Sequence, residues 1–340
     1  MKEITTIGLD LAKNVFQVHG IGETDGVVLR KRLRRGQVLT FFASLPRCLV
    51  GMEACATAHY WARELMAVGH EVRLMPPQYV KAYVKRNKND LADAEAICEA
   101  VKRPSMRFVP VKTAEQQSAL MMHRARDLLI RQRTMLVNAL RGHLAELGLI
   151  RAQGLHRVAG LTVIVMDDTD ERVPAMARQV LKVIAGQIGE IQGRIAALEA
   201  QILTWHKSNP VSQRLATIPG IGPIIATAIA ATAPDPSVFH SGREFAAWLG
   251  LVPRQNSTGG KARLGGISKR GDGYLRRLLV SGAHAVLIRS KTAQADPWLI
   301  SLLGRKPRLV AAVAVANKTA RVAWVIMNRQ DIYRRAAAAV

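Results

Sequence analysis

The sequence is poor in cysteine, in acidic residues and in aromatic side chains, and each shortage narrows what the protein can be. Its three cysteines, Cys48, Cys55 and Cys98, lack the paired spacing of a zinc site, so we expect reduced thiols in a cytoplasmic protein. Only 25 acidic residues stand against 49 lysines and arginines, a formal net charge of +24. A charge of this size usually indicates a polyanionic partner, most often nucleic acid, although some basic proteins have no such partner.

Long hydrophobic runs are missing as well. Charged residues interrupt the amino terminus at Lys2, Glu3 and Asp10, so no secretory signal is expected. The longest apolar run, IIATAIAATA from Ile224, is too short to span a bilayer, and we expect no membrane attachment. Apolar residues nevertheless make up 49% of the 340 residues, which is enough for a folded chain with two or three domain cores.

Residues 1–108 predict an α/β domain. Period-two apolar patterns indicate three strands in succession and then two strands separated by helices. The strand segments are ITTIGL, VFQVHGI, VVLRKRL, RCLVGME and HEVRLM. The helical segments are GQVLTFFASL, AHYWARELMAVG, QYVKAYVKR and LADAEAICEAVKR. A three-stranded meander followed by α/β crossovers is the order of the ribonuclease H-like fold.

The rest of the chain predicts mostly α structure, with a helical middle over residues 109–209 and a small, basic, helical domain over 210–340. Apolar residues in the middle recur at alternating spacings of three and four, which predicts the seam of a coiled coil or of a long helical hairpin. Such a seam joins two copies of a chain or packs within one copy. Its members are Leu181, Ile184, Ile188, Ile191, Ile195, Leu198, Ile202 and Trp205.

Four carboxylates are candidates for one site. Asp10 and Glu53 end the first and fourth predicted strands, and Asp90 and Asp93 share one face at the start of a helix. Neighbouring strands in this fold would let all four side chains converge. Their mutual repulsion would require a hard divalent cation such as Mg²⁺, and paired ions suit phosphodiester chemistry. Alternatively, Asp90 and Asp93 are ordinary charges at a helix N-terminus, and Asp10 and Glu53 have no joint role.

A glycine-rich turn precedes a predicted helix in IPGIGPIIA. Gly220 and Gly222 predict a tight turn that leaves backbone N–H groups open at the helix N-terminus. A nucleic-acid phosphate can bind there without any recognition of the base sequence. The pattern resembles the helix-hairpin-helix element of DNA-binding proteins. A plain packing turn between two helices would show the same residues.

A basic, glycine-rich segment, which we expect to be a flexible loop, places Ser257 beside Thr258. Dense positive charge there would favour phosphoryl transfer to a serine hydroxyl. From composition alone, however, a phosphate-binding loop whose serine only donates hydrogen bonds is the favoured interpretation. The basic residues predicted to contact nucleic acid are Arg254, Lys261, Arg263, Lys269, Arg270, Arg276 and Arg277.

Four longer segments of the chain occur together in one order. They are IGLDLAKNVFQVHG, MEACATAHYWARELMAVGHEVRLMPPQYVKAYVKRNKNDLADAEAICEA, IPGIGP and AWLGLVPRQNSTGGKARLGGISKRGDGYLRRLL. Together they resemble the insertion-sequence transposases that have an N-terminal RuvC-like DEDD domain and a separate C-terminal serine domain, the bridge-RNA-guided recombinases. The resemblance covers nearly the whole chain.

This resemblance implies roles for the four carboxylates. The first acidic residue of the family's DEDD set falls on Asp10, the glutamate on Glu53 and the final pair on Asp90 and Asp93. Many relatives carry a glycine where this chain has Ala56. That difference concerns the local turn and leaves the carboxylate assignment unchanged.

The resemblance also implies a nucleophile. The family's catalytic serine lies in the loop ahead of an SK-G motif, here Ser268, Lys269 and Gly271. Spacing from that motif places it on Ser257, with the adjacent Thr258 as the alternative. The primary hydroxyl of serine is the less hindered nucleophile of the two.

The activity implied by the resemblance is guided DNA recombination. A structured non-coding bridge RNA pairs with donor and target DNA, while the protein holds the RNA and both duplexes. Ser257 attacks a phosphodiester and forms a transient 5′-phosphoserine link, with Mg²⁺ at the carboxylates. The implied homo-oligomer is a dimer to tetramer in which the acidic site of one subunit meets the serine of another. A strongly charged chain with few aromatic residues suits a protein that reads nucleic-acid backbone and shape.

Two other functions are compatible with the same residues. A RuvC-like, structure-specific endonuclease would use the four carboxylates and a metal-activated water, with no protein nucleophile. A non-catalytic nucleic-acid organiser would use the positive charge alone. Covalent protein–DNA adducts distinguish the recombinase from both.

Overall fold

The computed structural model describes residues 3–84, 90–233, 235–261, 263–290 and 296–334. The chain divides into two units, Met1–Gln117 with Ala233–His240, and Ser118–Thr232 with Ser241–Val340. One such unit can contain more than one domain, so the predicted domains 1–108, 109–209 and 210–340 stay a prediction.

A five-stranded sheet forms the first unit, with strands β1 (Thr6–Asp10), β2 (Val15–Ile21), β3 (Val27–Arg34), β4 (Leu49–Glu53) and β5 (Glu71–Met75). The strand order is β3-β2-β1-β4-β5. β1, β2 and β3 pair antiparallel, whereas β4 is parallel to both β1 and β5. The predicted succession, three antiparallel strands followed by two strands reached through helices, is therefore confirmed, and the sheet is consistent with a ribonuclease H-like domain.

Helices cover both faces of this sheet, namely α1 (Val38–Ala43), α2 (Ala58–Ala67), α3 (Pro77–Val80) and α4 (Asp90–Val101). On one face, Leu9 and Met52 are fully buried in an apolar cluster with Trp61 of α2. On the other face, Ile97 and Val101 of α4 are buried in a second cluster. Successive strand side chains point to opposite faces, and Gly8 and Gly51 face α4 where Leu9 and Met52 face α2.

Three further helices form the helical middle of the chain, α5 (Ala114–Glu146), α6 (Val158–Met166) and α7 (Ala175–Ser208). The Arg126 guanidinium of α5 lies 2.6 Å from the Glu199 carboxylate of α7, and Leu140 shares an apolar cluster with Leu181. These pairings make α5 and α7 antiparallel neighbours. The predicted seam thus packs within one chain as a helical hairpin, and association of two copies through it stays a prediction. Its buried members are Leu181, Ile188, Ile195 and Ile202.

The C-terminal part contains α8 (Pro210–Leu215), α9 (Pro223–Thr232), α10 (Gly242–Trp248), α11 (Gly273–Arg289), α12 (Pro297–Arg305) and α13 (Arg308–Arg329). α13 carries a row of small, buried residues, among them Ala312, Ala316 and Ala320, that allows close packing. It packs against α10, α11 and α12. By length and composition alone α13 could cross a membrane, and 44% of its most apolar stretch is buried inside the protein.

A two-stranded ribbon, β6 (Pro253–Gln255) and β7 (Leu264–Ile267), replaces the flexible loop that the sequence predicts around Ser257. The two strands pair antiparallel, and Thr258 bridges to Lys261 at the tip. Gly259 and Gly260 both have positive φ, +55° and +75°, which is the geometry of a tight hairpin turn. The serine segment is therefore a hairpin.

Candidate active site

Asp10 and Glu53 end neighbouring parallel strands. The last residues paired between β1 and β4 are Leu9 and Met52. Asp10 and Glu53 come one position later in their strands, so both lie at the same edge of the sheet. Because side chains alternate along a strand, Asp10 shares its sheet face with Gly8, and Glu53 shares that face with Gly51. Both acidic residues are half-buried. The sheet thus brings the first two predicted carboxylates to one edge and one face.

Helix α4 lies directly on that face because the two glycines have no side chain. A Cβ on Gly8 would lie 2.1 Å from the carbonyl oxygen of Ala94, and a Cβ on Gly51 would lie 2.7 Å from the Cβ of Val101. Cys98 Sγ lies 3.8 Å from the Thr6 carbonyl oxygen, near the start of β1. The helix therefore runs opposite to β1, and its first turn points toward the strand end that carries Asp10.

The first turn of α4 carries the remaining two predicted carboxylates. Asp93 immediately precedes the Ala94 contact and is half-buried. Asp90 is the first residue of α4, but its side chain lies outside the described part of the chain. The backbone thus directs the residues of the predicted acidic set to the same edge of the sheet.

The chemistry of this donor set fits a hard divalent cation. Carboxylate oxygens are the ligands that Mg²⁺ prefers in proteins, and these acidic residues come from three separate backbone segments. Within the described side chains, which exclude that of Asp90, there is no group of three or more His, Cys, Asp or Glu residues close enough to hold a metal ion. Among the described side chains, Asp10, Glu53 and Asp93 therefore share an edge of the sheet without lying close enough together to hold a metal ion by themselves.

The close approach at Gly8 makes a testable contribution to this geometry. We expect Gly8→Ala to destabilise the first unit by about 1–3 kcal/mol or more, because the added methyl must push the α4 backbone off the sheet. Activity should fall as well, since α4 carries Asp93. Urea unfolding measures the free energy. The control is Gly36→Ala, because a Cβ there meets no atom within 4 Å. Equal stability of the two variants would contradict the packing argument.

Two of the cysteines are structural. Burial raises the pKa of the Cys48 thiol to about 11. Burial also raises the pKa of the Cys98 thiol, to about 12. Both stay protonated at neutral pH and are poor nucleophiles, because the thiolate is the reactive form. All three cysteines are free, as the sequence predicts.

Ser257 lies in the hairpin between β6 and Thr258, exposed to solvent. The Gln255 side chain donates a hydrogen bond from Nε2 to Ser257 Oγ, with a separation of 3.1 Å. This bond uses a lone pair of the hydroxyl oxygen and leaves the O–H proton available to another acceptor. Thr258 instead takes part in the turn, where its carbonyl oxygen accepts a hydrogen bond from the Lys261 N–H. Ser257 is thus held next to a turn and is accessible.

The predicted nucleic-acid contacts fall into two groups. One group is exposed on or beside the ribbon and consists of Arg254, Lys261, Arg263, Lys269 and Arg270. The other group has partners within the protein. Arg276 Nη1 donates to the carbonyl oxygens of Leu249 and Arg270, each at 3.0 Å. Arg277 lies 2.8 Å from the Asp127 carboxylate. Arg276 therefore holds the fold, whereas the exposed Arg277 forms a surface ion pair.

The two glycines of the predicted helix-hairpin-helix differ in role. Gly220 has φ +86°, and a Cβ on Gly282 of α11 would lie 2.1 Å from its carbonyl oxygen. Gly220 therefore serves a turn that packs against α11. Gly222 is exposed ahead of α9, and a Cβ on it would meet no atom within 4 Å. Of the two, Gly222 has the accessible backbone that a phosphate would need.

Sequence reasoning missed His123, which joins three helices. Its Nδ1 lies 3.0 Å from Tyr274 Oη on α11, and its Nε2 lies 3.0 Å from Thr227 Oγ1 on α9. Burial, with a smaller effect of the Arg126 charge, lowers the pKa of His123 to about 4, so the ring is neutral at physiological pH. A lone histidine in a helix has no sequence pattern that would have identified this role.

Comparisons with known proteins cover the same regions. A family model described as "Transposase IS116/IS110/IS902 family" matches residues 212–298, and a DEDD transposase model of the IS110 type matches residues 7–148. The first span contains Ser257 and the second contains the four acidic residues.

Individual relatives match over nearly the full chain. The chain is 53% identical to the "Probable family 20 transposase" of Pseudomonas aeruginosa, over 97% of this chain and 99% of that protein. It is 42% identical to the transposase for insertion sequence element IS1111A of Coxiella burnetii, over 98% of this chain and 92% of that protein. It is 40% identical to the transposase for insertion sequence element IS1328 of Yersinia enterocolitica, over 98% and 100%.

Proposed function

The chain belongs to the IS110/IS116/IS902 family of insertion-sequence transposases, and we propose that it cuts and rejoins donor and target DNA through Ser257 under the guidance of a bridge RNA. The observation that carries the proposal is the convergence at one sheet edge. Asp10 and Glu53 end adjacent parallel strands, and the first turn of α4 points toward them.

The carboxylates would act on the scissile phosphate. Divalent cations held by Asp10, Glu53, Asp90 and Asp93, Mg²⁺ in our proposal, would neutralise the charge that develops on the phosphate. The protein's own contribution is rigidity. β1 and β4 fix two carboxylates by their pairing, and the contact of Gly8 with Ala94 fixes the helix that carries the other two.

Ser257 would be the nucleophile. Its Oγ attacks phosphorus, an ester bond forms to the 5′ phosphate, and the bond to the 3′ oxygen breaks. The proton lost by the hydroxyl is balanced by the proton that the 3′ oxygen gains. The hydrogen bond from Gln255 orients Oγ, and the exposed cations of the ribbon would hold the DNA backbone. The phosphoserine ester conserves the energy of the broken phosphodiester bond, so religation needs no external energy source.

A homo-oligomer, dimer to tetramer, would bring the serine of one subunit to the acidic site of another. In this proposal a bridge RNA supplies sequence choice by base pairing, and the protein binds RNA and DNA through their backbones. The net charge of +24 supports the backbone contacts. The low aromatic content, 5%, supports delegating sequence recognition to base pairing.

Guide dependence is tested by reconstituting recombination between a donor and a target plasmid with the purified protein. We expect recombinants with an RNA transcribed from the DNA that flanks the gene, and none with a shuffled RNA of the same length. Changing one loop of the RNA should redirect insertion to a target that matches the new loop. Recombination at equal yield without RNA would refute guidance and leave the serine chemistry to be tested separately.

A further inference from the structure

A groove of about 1670 Å³ opens in the second unit between the ribbon and α13. Its sides are the β7 strand, the start of α10 and the segment after α13, and it includes Ser241, Leu251 and Tyr333. Pockets for small ligands usually measure roughly 300–1,000 Å³. A groove of this size fits a segment of polymer better than a metabolite.

The rim of the groove is strongly basic. Five cationic side chains line it against a single carboxylate, Asp331, which already lies 3.8 Å from a guanidinium of the rim. The cations come from four segments of the chain, so their arrangement is set by the fold. They are Arg243, Lys269, Lys318, Arg321 and Arg334. This charge is complementary to a chain of phosphates.

Apolar side chains also line the groove and are accessible to solvent, and we call this apolar part of the lining its floor. Leu309 and Val310, at the start of α13, are 72% and 50% exposed, and Val325 continues the same helix. Two aromatic side chains, Trp298 and Tyr333, also line the groove. The Lys318 ammonium lies 4.4 Å from the Trp298 ring centre, so one cation already covers an aromatic face. Apolar and cationic side chains in one groove match a ligand with flat apolar groups and regularly spaced negative charge.

Part of the ribbon wall of the groove is bare backbone. Gly265 and Gly266 of β7 line the groove, and neither has the positive φ that would require glycine. A Cβ on Gly266 would meet no atom within 4 Å. Neither backbone conformation nor packing therefore requires glycine at these positions, and the absence of side chains leaves room for a ligand to approach the strand closely. β7 is one strand of the hairpin that carries Ser257.

We propose that this groove binds a single-stranded segment of nucleic acid, with phosphates on the cationic rim and unstacked bases on the apolar floor. The inference rests on the proposed function, because that function supplies nucleic acid at the adjoining hairpin. Duplex DNA keeps its bases stacked inside and could use only the rim. An acidic, amphipathic peptide shares part of this chemistry, but the charge of the whole chain and the aromatic side chains favour nucleic acid.

The test measures fluorescence anisotropy with a labelled oligo-dT of about twenty nucleotides and with a duplex of equal length. The double variant Leu309→Glu/Val310→Glu places two carboxylates on the floor at exposed positions. We expect the affinity for oligo-dT to fall at least about tenfold, and the affinity for duplex to change less than about threefold. Gly266→Leu, which fills the wall without changing charge, should weaken oligo-dT binding in the same direction.

The matched control is Met176→Glu/Val183→Glu, at comparably exposed positions of α7 that do not line the groove. It adds the same charge and should leave both affinities within about twofold of the parent protein. Thermal melts of each variant confirm folding.

Equal losses for oligo-dT and duplex, or unchanged oligo-dT binding in both groove variants, would overturn the proposal. Tight binding of an acidic amphipathic peptide that is lost only in the groove variants, with oligo-dT unaffected, would overturn it in favour of a protein partner. Failure of the proposed function gives a different result. If Ser257→Ala recombines normally while the groove variants still lose oligo-dT binding, the nucleophile is wrong and the groove assignment stands.

Discussion

Replacing Ser257 by alanine should abolish the covalent protein–DNA adduct and lower recombination by at least about 10³-fold, because no other group would form the phosphoserine ester. Ser257 is exposed in a hairpin, and its Oγ makes one hydrogen bond, from Gln255, among the contacts the structure describes. Loss of the hydroxyl should therefore leave the fold intact. The measurement is a denaturing gel of protein incubated with end-labelled donor DNA, combined with a count of recombinant junctions.

Thr258→Ala is the control, because it removes the adjacent hydroxyl in the same hairpin. We expect this variant to keep the adduct, with at most about a tenfold loss from disturbance of the turn. An adduct lost in Thr258→Ala and kept in Ser257→Ala would move the nucleophile by one residue. Cleavage without any adduct in the parent protein and both variants would identify a nuclease that uses water.

Replacing Asp10 by asparagine should lower DNA cleavage by on the order of 10³-fold while nucleic-acid binding stays within about twofold. The amide has the same shape as the carboxylate, so β1 keeps its pairing with β4. It lacks the charge that attracts a hard cation to this edge of the sheet. The measurement is the cleavage rate as a function of Mg²⁺ concentration, with EDTA as the reference for complete loss.

Glu71→Gln is the matched control for this substitution. Glu71 begins β5, so it lies at the opposite end of the same sheet, exposed and paired with Arg73 at 2.6 Å. Its removal should leave the Mg²⁺ dependence unchanged. If Asp10→Asn and Glu53→Gln both cleave DNA at the parent rate, the acidic residues take no part in the reaction.

The N-terminal sheet was predictable because its strands can be recognised from the apolar pattern of short segments. Segments such as TIGLD and LVGME alternate with a period of two, and their strand order along the chain predicted a meander followed by crossovers. Asp10 and Glu53 could be placed at strand ends for the same reason. The convergence of α4 on the same edge was an expectation from the fold, but the close approach to Gly8 and Gly51 that permits it involves residues distant in sequence.

The ribbon around Ser257 escaped prediction for a physical reason. Its strands are short and contain Pro253, Gly265 and Gly266, residues with low strand propensity. The turn at Gly259 and Gly260 was the available signal, since paired glycines favour a hairpin turn. Read as composition, the same glycines indicated a flexible loop.

The interaction partners of charged and polar residues could not be predicted from the sequence either. Arg276 has the sequence context of a nucleic-acid contact, yet its guanidinium binds the carbonyl oxygens of Leu249 and Arg270. His123 has no context at all, yet it links α5, α9 and α11. A side chain's type determines which bonds it can make, and only the packing of distant segments decides which partner it meets.

The strands and helices of the N-terminal part could be read from the amino-acid sequence alone. So could the acidic residues at the strand ends, the basic segment around Ser257 and the apolar seam of the helical middle. These follow from periodicity and charge, which are local properties of the chain. Tertiary structure alone decided that the seam packs inside one chain, that α4 approaches Gly8 and Gly51 closely, and that the ribbon adjoins a basic groove. Each of these depends on where backbones approach closely, and that is a property of the whole folded chain.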